Sequence, residues 1–466
     1  MKLKNSSSII SEKDGQSDSK LSVHRNLKQR HLSMIAIGGR YSAFIGVATE
    51  ITAAAIVVQY WDTSTPIAIY ITIFLVTICG INFLGVRWYG EAEFLFSFLK
   101  VSTIVGLIVL GIVLDLGGGP DHDRMGFRYW INPGPFAQLD DIAGPTGRFL
   151  AFWDMFIQAS YAYSGTEVVA LAAAEAENPR KTVPKAVKRV FYRILLFYLG
   201  GVLVIGLLVS SNDPMLLSAK GEGTGAASPF VIAVKRAGIT VLPDIINAII
   251  LSSAYSSGNT ALYAGSRVLY GLACEGMAPR VFVRCTRAGL PLWALVVTSS
   301  GGLLAFLRLN VNASLVFRWL SNISSVTGLC TWFTILLGYI RFYRAMRFQG
   351  VDRNTLPYRA PLQPYLSYLG ITMISLVLIF NGFTVFIAGH WSSPGFVAAY
   401  ITIPIYVLSF LYWKMTQKTK WVKIQKMDLK TGLAELEVID AHYRNIEFIP
   451  RTPFEKFWDW RTRRFL

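Results

Sequence analysis

Tyr161-Ala162-Tyr163-Ser164-Gly165-Thr166-Glu167 lies inside an apolar run covering residues 147–173. A helix crosses a bilayer with about 20 such residues. Glycine and hydroxyl side chains in the middle of the run make that helix easy to break. A broken span exposes backbone N–H and C=O groups that can hold a charged ligand at the midplane. The competing reading is a small-residue packing patch, with Glu167 hydrogen-bonded to a neighbouring helix. The residue pattern alone leaves both open.

Outward from this stretch the chain repeats the same theme. Apolar runs fall near 33–60, 66–86, 93–116, 147–173, 187–210, 242–273, 291–308, 316–340, 365–388 and 396–415. Aliphatic, aromatic and Cys residues make up 53% of the 466 residues and charged residues only 16%. Soluble domains carry about 25% charge, so a soluble enzyme, a disordered protein and a disulfide scaffold are excluded. Only helices and closed barrels satisfy their backbone groups in lipid, and the runs have helical length. The expected fold is an all-α polytopic membrane protein of about ten spans.

The net charge of +17 comes largely from basic residues in short connections and tails, so membrane orientation explains it more simply than nucleic acid does. With the N-terminus inside, the loop 174–190 with Arg180, Lys181, Lys185, Lys188 and Arg189, then 274–290 with Arg280, Arg284 and Arg287, then 341–364 with Arg341, Arg344, Arg347, Arg353 and Arg359 face the cytoplasm, as does the tail from Lys414. Both termini are expected in the cytoplasm. Residues 1–30 read as a disordered tail, 31–415 as the membrane domain and 416–466 as a C-terminal tail that cytoplasmic regulators or membrane lipids could meet. No Walker A motif, metal-ligand cluster or catalytic triad accompanies them, so no cofactor, metal or enzymatic activity is expected.

Charge at the bilayer centre costs at least about 2.5–3.5 kcal/mol and marks functional candidates. Glu167, Lys100, Glu50 and Arg40 qualify. Lys100 reads either as a buried amine that changes charge during transport or as a side chain snorkelling to the interface. Glu50 faces small residues and reads as a structural partner. The run 252–260, Ser-Ser-Ala-Tyr-Ser-Ser-Gly-Asn-Thr, could line a cavity, coordinate a cation or pack against another helix.

Several segments carry a resemblance. Leu27-Lys28-Gln29-Arg30-His31-Leu32-Ser33-Met34-Ile35-Ala36, Phe83-Leu84-Gly85-Val86-Arg87-Trp88-Tyr89-Gly90-Glu91-Ala92-Glu93, Gly165-Thr166-Glu167 and Glu175-Ala176-Glu177-Asn178-Pro179-Arg180 form one set. Ser256-Ser257-Gly258-Asn259-Thr260-Ala261-Leu262-Tyr263 and Leu356-Pro357-Tyr358-Arg359-Ala360-Pro361 complete it. Over about 27–437 the chain resembles fungal amino acid permeases of the amino acid–polyamine–organocation superfamily. The resemblance implies an inverted-repeat helix bundle and proton-coupled amino acid uptake at the plasma membrane. It implies a substrate site built from two broken helices, with Gly38 and Gly39 at the first and Tyr161, Tyr163, Ser164, Gly165, Thr166 and Glu167 at the second. It also implies that Lys100 takes the place of a coupling ion, with Ser253 facing it.

The chain departs from the family after Gly39. Arg40-Tyr41-Ser42 follows where the rest of a broken first helix is expected, and the stretch to Gln59-Tyr60-Trp61 looks like the end of the third helix. The family has twelve spans. Loss of two crossings leaves a fused span near 33–60 and the downstream orientation unchanged. Two expectations follow: a proton-coupled amino acid transporter impaired by the gap, or a transport-inactive membrane protein with an interaction or sensor role.

Overall fold

The computed structural model describes residues 29–84, 86–120, 122–139, 142–166, 179–216, 228–274, 276–286, 289–309, 313–356, 358–416, 418 and 420–429, without the side chains of 29–40, 86–88, 179–182, 308, 313 and 314. Every regular element among them is helical. The N-terminal half holds α1 (Gln29–Val58), α2 (Ile67–Phe83), α3 (Val86–Asp115) and α4 (Gly144–Ala162). Next come α5 (Pro179–Arg193), continued through a π-helical stretch, Ile194–Leu199, into α6 (Gly200–Leu208), and α7 (Pro229–Arg236). The C-terminal half holds α8 (Leu242–Cys274), α9 (Leu292–Ser300), α10 (Ala313–Phe348), α11 (Tyr365–Ile379), α12 (Ser393–Tyr400) and α13 (Thr402–Thr416).

Each of the ten expected spans overlaps a helix among the described residues; the span expected at 147–173 is helical to Ala162, and 167–173 lie outside the described residues. Five are long and apolar enough to cross a membrane alone: Tyr41–Val58, Tyr89–Asp115, Val183–Leu208, Leu315–Phe348 and Tyr365–Phe386. The pair α12 and α13, bent by 43°, makes a sixth. α2 and Leu292–Leu307 are apolar but shorter. α8 has the length, but its polar run lowers its apolarity, and its position explains why that is tolerated. It packs most extensively against α1 and also meets α2, α3, α7 and α9, so its polar groups face protein.

The core is built where α1, α2, α8, α9 and α10 meet, from Val47, Ala48, Ile51, Ala55, Ile71, Ile78, Leu262, Leu295, Val316 and Leu320. Small residues let these helices approach closely. At Gly265 of α8 an added Cβ would stand 2.8 Å from both Ala43 Cβ of α1 and Thr298 Cγ2 of α9. Hydroxyls in the core bond back to their own helix: Thr49 to Ile45 O at 3.0 Å, Thr52 to Ala48 O at 2.8 Å and Thr298 to Ala294 O at 2.8 Å. That pattern removes the cost of an unpaired hydroxyl. α3 lies at the periphery and turns Phe94, Phe98, Val101, Val105, Val109 and Ile112 outward. Their spacing of three and four residues is one helical face, suited to lipid.

Two details differ from the sequence reading. Basic residues 180–190 were expected in a loop; they belong to α5, where Lys and Arg lose little rotamer freedom in a helix. Arg341, Arg344 and Arg347 likewise extend α10 rather than a loop, where cations complement the C-terminal end of the helix dipole.

Candidate functional site

α1 runs without interruption through Gly38, Gly39 and Arg40. The backbone there follows the helical pattern, so no broken segment offers free N–H groups at the expected first-helix position. The polar centre on α1 lies further along, at Glu50. At about 1.5 Å per residue, Gly38 and Gly39 stand roughly 17 Å from Glu50 along the helix axis. The structure does not bring them together with the other expected site residues.

Glu50 does meet the second expected group. The Tyr161 hydroxyl donates to Glu50 Oε1 at 2.8 Å. The Tyr161 ring stands edge-on to Phe317 of α10, with centroids 6.2 Å apart. Behind Glu50 lies Gly258 of α8, where an added Cβ would come 3.4 Å from Glu50 Cβ. Helices α1, α4 and α8 therefore meet at Glu50, and α10 backs Tyr161.

The α4 helix stops at Ala162, and the chain turns at 163–166. Gly165 adopts φ +88°, in the left-handed region that glycine enters without penalty. Ser164 N–H bonds Tyr161 O at 3.1 Å. The Ser164 hydroxyl is buried beside Gly328 of α10 and has no hydrogen-bond partner among the described residues. Tyr163 stacks on Tyr198 at 5.3 Å, and Thr166 closes the described turn. Glu167 lies outside the described residues.

Lys100 forms a second centre. Its amine donates to Ser256 Oγ at 2.8 Å, and the Ser256 hydroxyl donates to Glu93 Oε2 at 2.7 Å. Lys100 Nζ and Glu93 Oε1 are 3.9 Å apart. Helical side chains lean toward the helix N-terminus, so Lys100 reaches back two turns to Glu93 on the same face. Its partner on α8 is Ser256, one turn beyond the expected Ser253. Lys100 also lies within electrostatic reach of Glu50, which links the two centres. The amine is half-buried and engaged by Ser256 and Glu93.

The rest of the polar run on α8 ties helices together. Asn82 of α2 donates to Asn259 Oδ1 at 2.6 Å, and the Tyr89 hydroxyl of α3 donates to Thr260 Oγ1 at 3.3 Å. Tyr89 stacks on Tyr263 at 4.1 Å. Three residues were missed as site members: Glu50, Glu93 and Ser256. Glu93 had a signal, its seven-residue spacing from Lys100. Ser256 stood within the flagged polar run. Among the described residues no group of His, Cys, Asp and Glu could hold a metal.

The arrangement offers a carboxylate and a buried hydroxyl beside a broken helix end, and an amine shared between hydroxyl and carboxylate. These can hold a small zwitterion and carry a proton. A family model for amino acid permeases matches residues 22–426. A proline-specific permease of Emericella nidulans is 42% identical over 90% of this chain and 76% of its own length. A dicarboxylic amino acid permease of Saccharomyces cerevisiae is 42% identical over 85% of this chain and 66% of its own. A lysine-specific permease of the same yeast is 39% identical over 89% and 67%. On this match the chain belongs to the amino acid permease family, whose members are polytopic helical membrane transporters.

Proposed function

We propose that this protein carries an amino acid across a membrane by alternating access, together with a proton. The observation that supports it most is the meeting of Glu50, Tyr161 and the α4 end in a chain of this family. The Glu50 carboxylate suits a substrate ammonium group, since a charge-assisted hydrogen bond is about twice as strong as a neutral one. Ser164, Gly165 and Thr166 at the turn suit the substrate carboxylate, and Glu167, the next residue in the chain, is the second candidate for the ammonium group. Tyr161 and Tyr163 supply aromatic walls. Gly38 and Gly39 fall outside the site proposed.

Proton coupling is assigned to Lys100, whose amine sits among Ser256, Glu93 and the field of Glu50. Ser253, one turn from Ser256, would come into range if α8 rotated during the cycle. The basic residues Arg341, Arg344 and Arg347 near the end of α10 and Lys414 at the end of α13 support placing both termini in the cytoplasm, at the plasma membrane by family resemblance. The tails 1–30 and 416–466 are then open to cytoplasmic regulators.

The relatives are named for proline, dicarboxylic amino acids and lysine at 42%, 42% and 39% identity. Overall likeness therefore does not choose the substrate; the side chains around Glu50 and Tyr161 do. Expression in yeast lacking its own amino acid uptake tests the reading. Growth on one or more amino acids as nitrogen source is expected. Correctly inserted protein that supports growth on none contradicts it.

A further inference from the structure

After α13 ends at Thr416, the chain turns back and residues 420–427 lie against the C-terminal end of α10. Arg341 Nη2 donates to Val422 O at 2.5 Å, and Gln349 Nε2 to Met427 O at 2.7 Å. Trp421 is flanked by two cations: the Arg341 guanidinium carbon is 5.4 Å from its ring centre and Lys414 Nζ 5.3 Å. Phe410 packs on the same indole at 6.4 Å. Between α10 and this strap lies an open cleft of about 340 Å³, lined by Arg341, Trp421, Val422, Lys423, Ile424 and Gln425.

We propose that this cleft binds the phosphate-bearing headgroup of an anionic lipid. Its lining holds two cations, an indole and an amide, and no carboxylate. Arginine has five N–H donors, and its bond to Val422 uses one. Cations gathered this closely repel one another, and an anion placed among them relieves that cost. The sequence adds Lys414, Lys418, Lys420 and Lys426 around the strap; Asp428 is its acidic member. Such clusters beside a transmembrane helix are the pattern that anionic headgroups recognise.

Position favours a lipid over a free phosphate compound. The cleft sits where two apolar helices, α10 and α13, end, and tryptophan with Lys and Arg is the usual composition of that boundary. A headgroup bridging Arg341 and Lys423 would fasten the strap to α10. That helix carries Phe317 and Gly328, which stand against Tyr161 and Ser164. Lipid in the cleft would thus act on a helix that borders the Glu50 centre.

The test is native mass spectrometry of the full chain in neutral detergent, titrated with short-chain phosphatidylinositol 4,5-bisphosphate, phosphatidylcholine or free inositol trisphosphate. Saturable binding of the phosphoinositide is expected, with phosphatidylcholine not competing. At about 1 kcal/mol per basic residue, Lys423→Gln should weaken binding about fivefold, and Lys423→Arg should retain it. Unchanged affinity in Lys423→Gln, or equal occupancy by phosphatidylcholine, overturns the proposal. Free inositol trisphosphate binding as tightly as the lipid overturns it too, by assigning the cleft to a soluble ligand.

Discussion

The Tyr161 hydroxyl and the Glu50 carboxylate, 2.8 Å apart, join the broken end of α4 to the middle of α1. The bond spans two helices that must move relative to each other if the bundle opens on alternate sides. It joins an expected site residue to a carboxylate on a different helix. Hydrogen bonds to charged groups contribute about 1.5–3 kcal/mol, so Tyr161→Phe should lower transport about tenfold or more. The effect should fall on the concentration dependence of uptake, because Glu50 is left as ligand without its orienting partner. Tritiated amino acid uptake over a concentration series measures it, and wild-type kinetics would reject the pairing as functional.

Lys100, Ser256 and Glu93 make a prediction of a different kind. If the amine carries the coupled proton, Lys100→Gln should remove the dependence of uptake on an imposed pH gradient while leaving substrate-exchange measurable. Ser256→Ala keeps the charge and removes one hydrogen bond, so it should shift the pH profile without abolishing it. Ser253→Ala should do less than Ser256→Ala. Equal effects of the two serines in proteoliposomes would contradict the geometry in which Ser256 alone holds the amine.

Gly165 tests the α4 turn separately. Its φ of +88° costs an ordinary residue about 1–2 kcal/mol, and among the described residues nothing stands within 4 Å of where a Cβ would go. The cost of Gly165→Ala is therefore conformational, not steric. A lower melting temperature in detergent is expected, together with reduced uptake. An unchanged melting temperature would mean that the turn relaxes freely.

The α1–α2 connection carries a pH-dependent element. Asp62 accepts from the Ser64 hydroxyl and N–H at 2.6 and 2.8 Å and from the Thr65 and Tyr70 hydroxyls at 2.6 Å each. These bonds, the Ser64 hydroxyl first, hold its carboxyl well below the usual carboxylate range. A depressed folded-state value means the stabilisation is present above the ordinary Asp pKa and is lost as pH falls through the lowered one. Hydrogen exchange at Ser64 and Thr65 should therefore stay slow through mildly acidic pH. Asp62→Ala should remove that protection at neutral pH as well; protection that survives the substitution would assign it to the backbone turn alone.

Run length and polarity made the all-helical membrane fold legible, because a bilayer demands about 20 apolar residues per crossing; among the described residues five helices, or six with the bent pair, meet that length alone. The α4 stop near Gly165 was legible for the same kind of reason, a glycine among hydroxyls in an apolar run. What was hidden depends on how helices are rotated about their axes. Ser253 and Ser256 differ by one turn on α8, and the close approaches at Gly258 and Gly265 fix which one faces Lys100. Glu50 read as a structural residue because its partner, Tyr161, is 111 residues away. Residues 180–190 read as a loop from their charge, although Lys and Arg are good helix formers.

The most direct test is uptake of labelled amino acids by the full chain in proteoliposomes under an inward proton gradient, with Glu50→Gln in parallel. Glu50→Gln keeps the shape and the hydrogen bond from Tyr161 but removes the charge. Saturable, gradient-driven uptake that Glu50→Gln reduces at least about tenfold is the expected result, because each 1.4 kcal/mol is a factor of ten. No uptake of any amino acid by the folded wild-type chain, or the same uptake by both forms, would contradict the account.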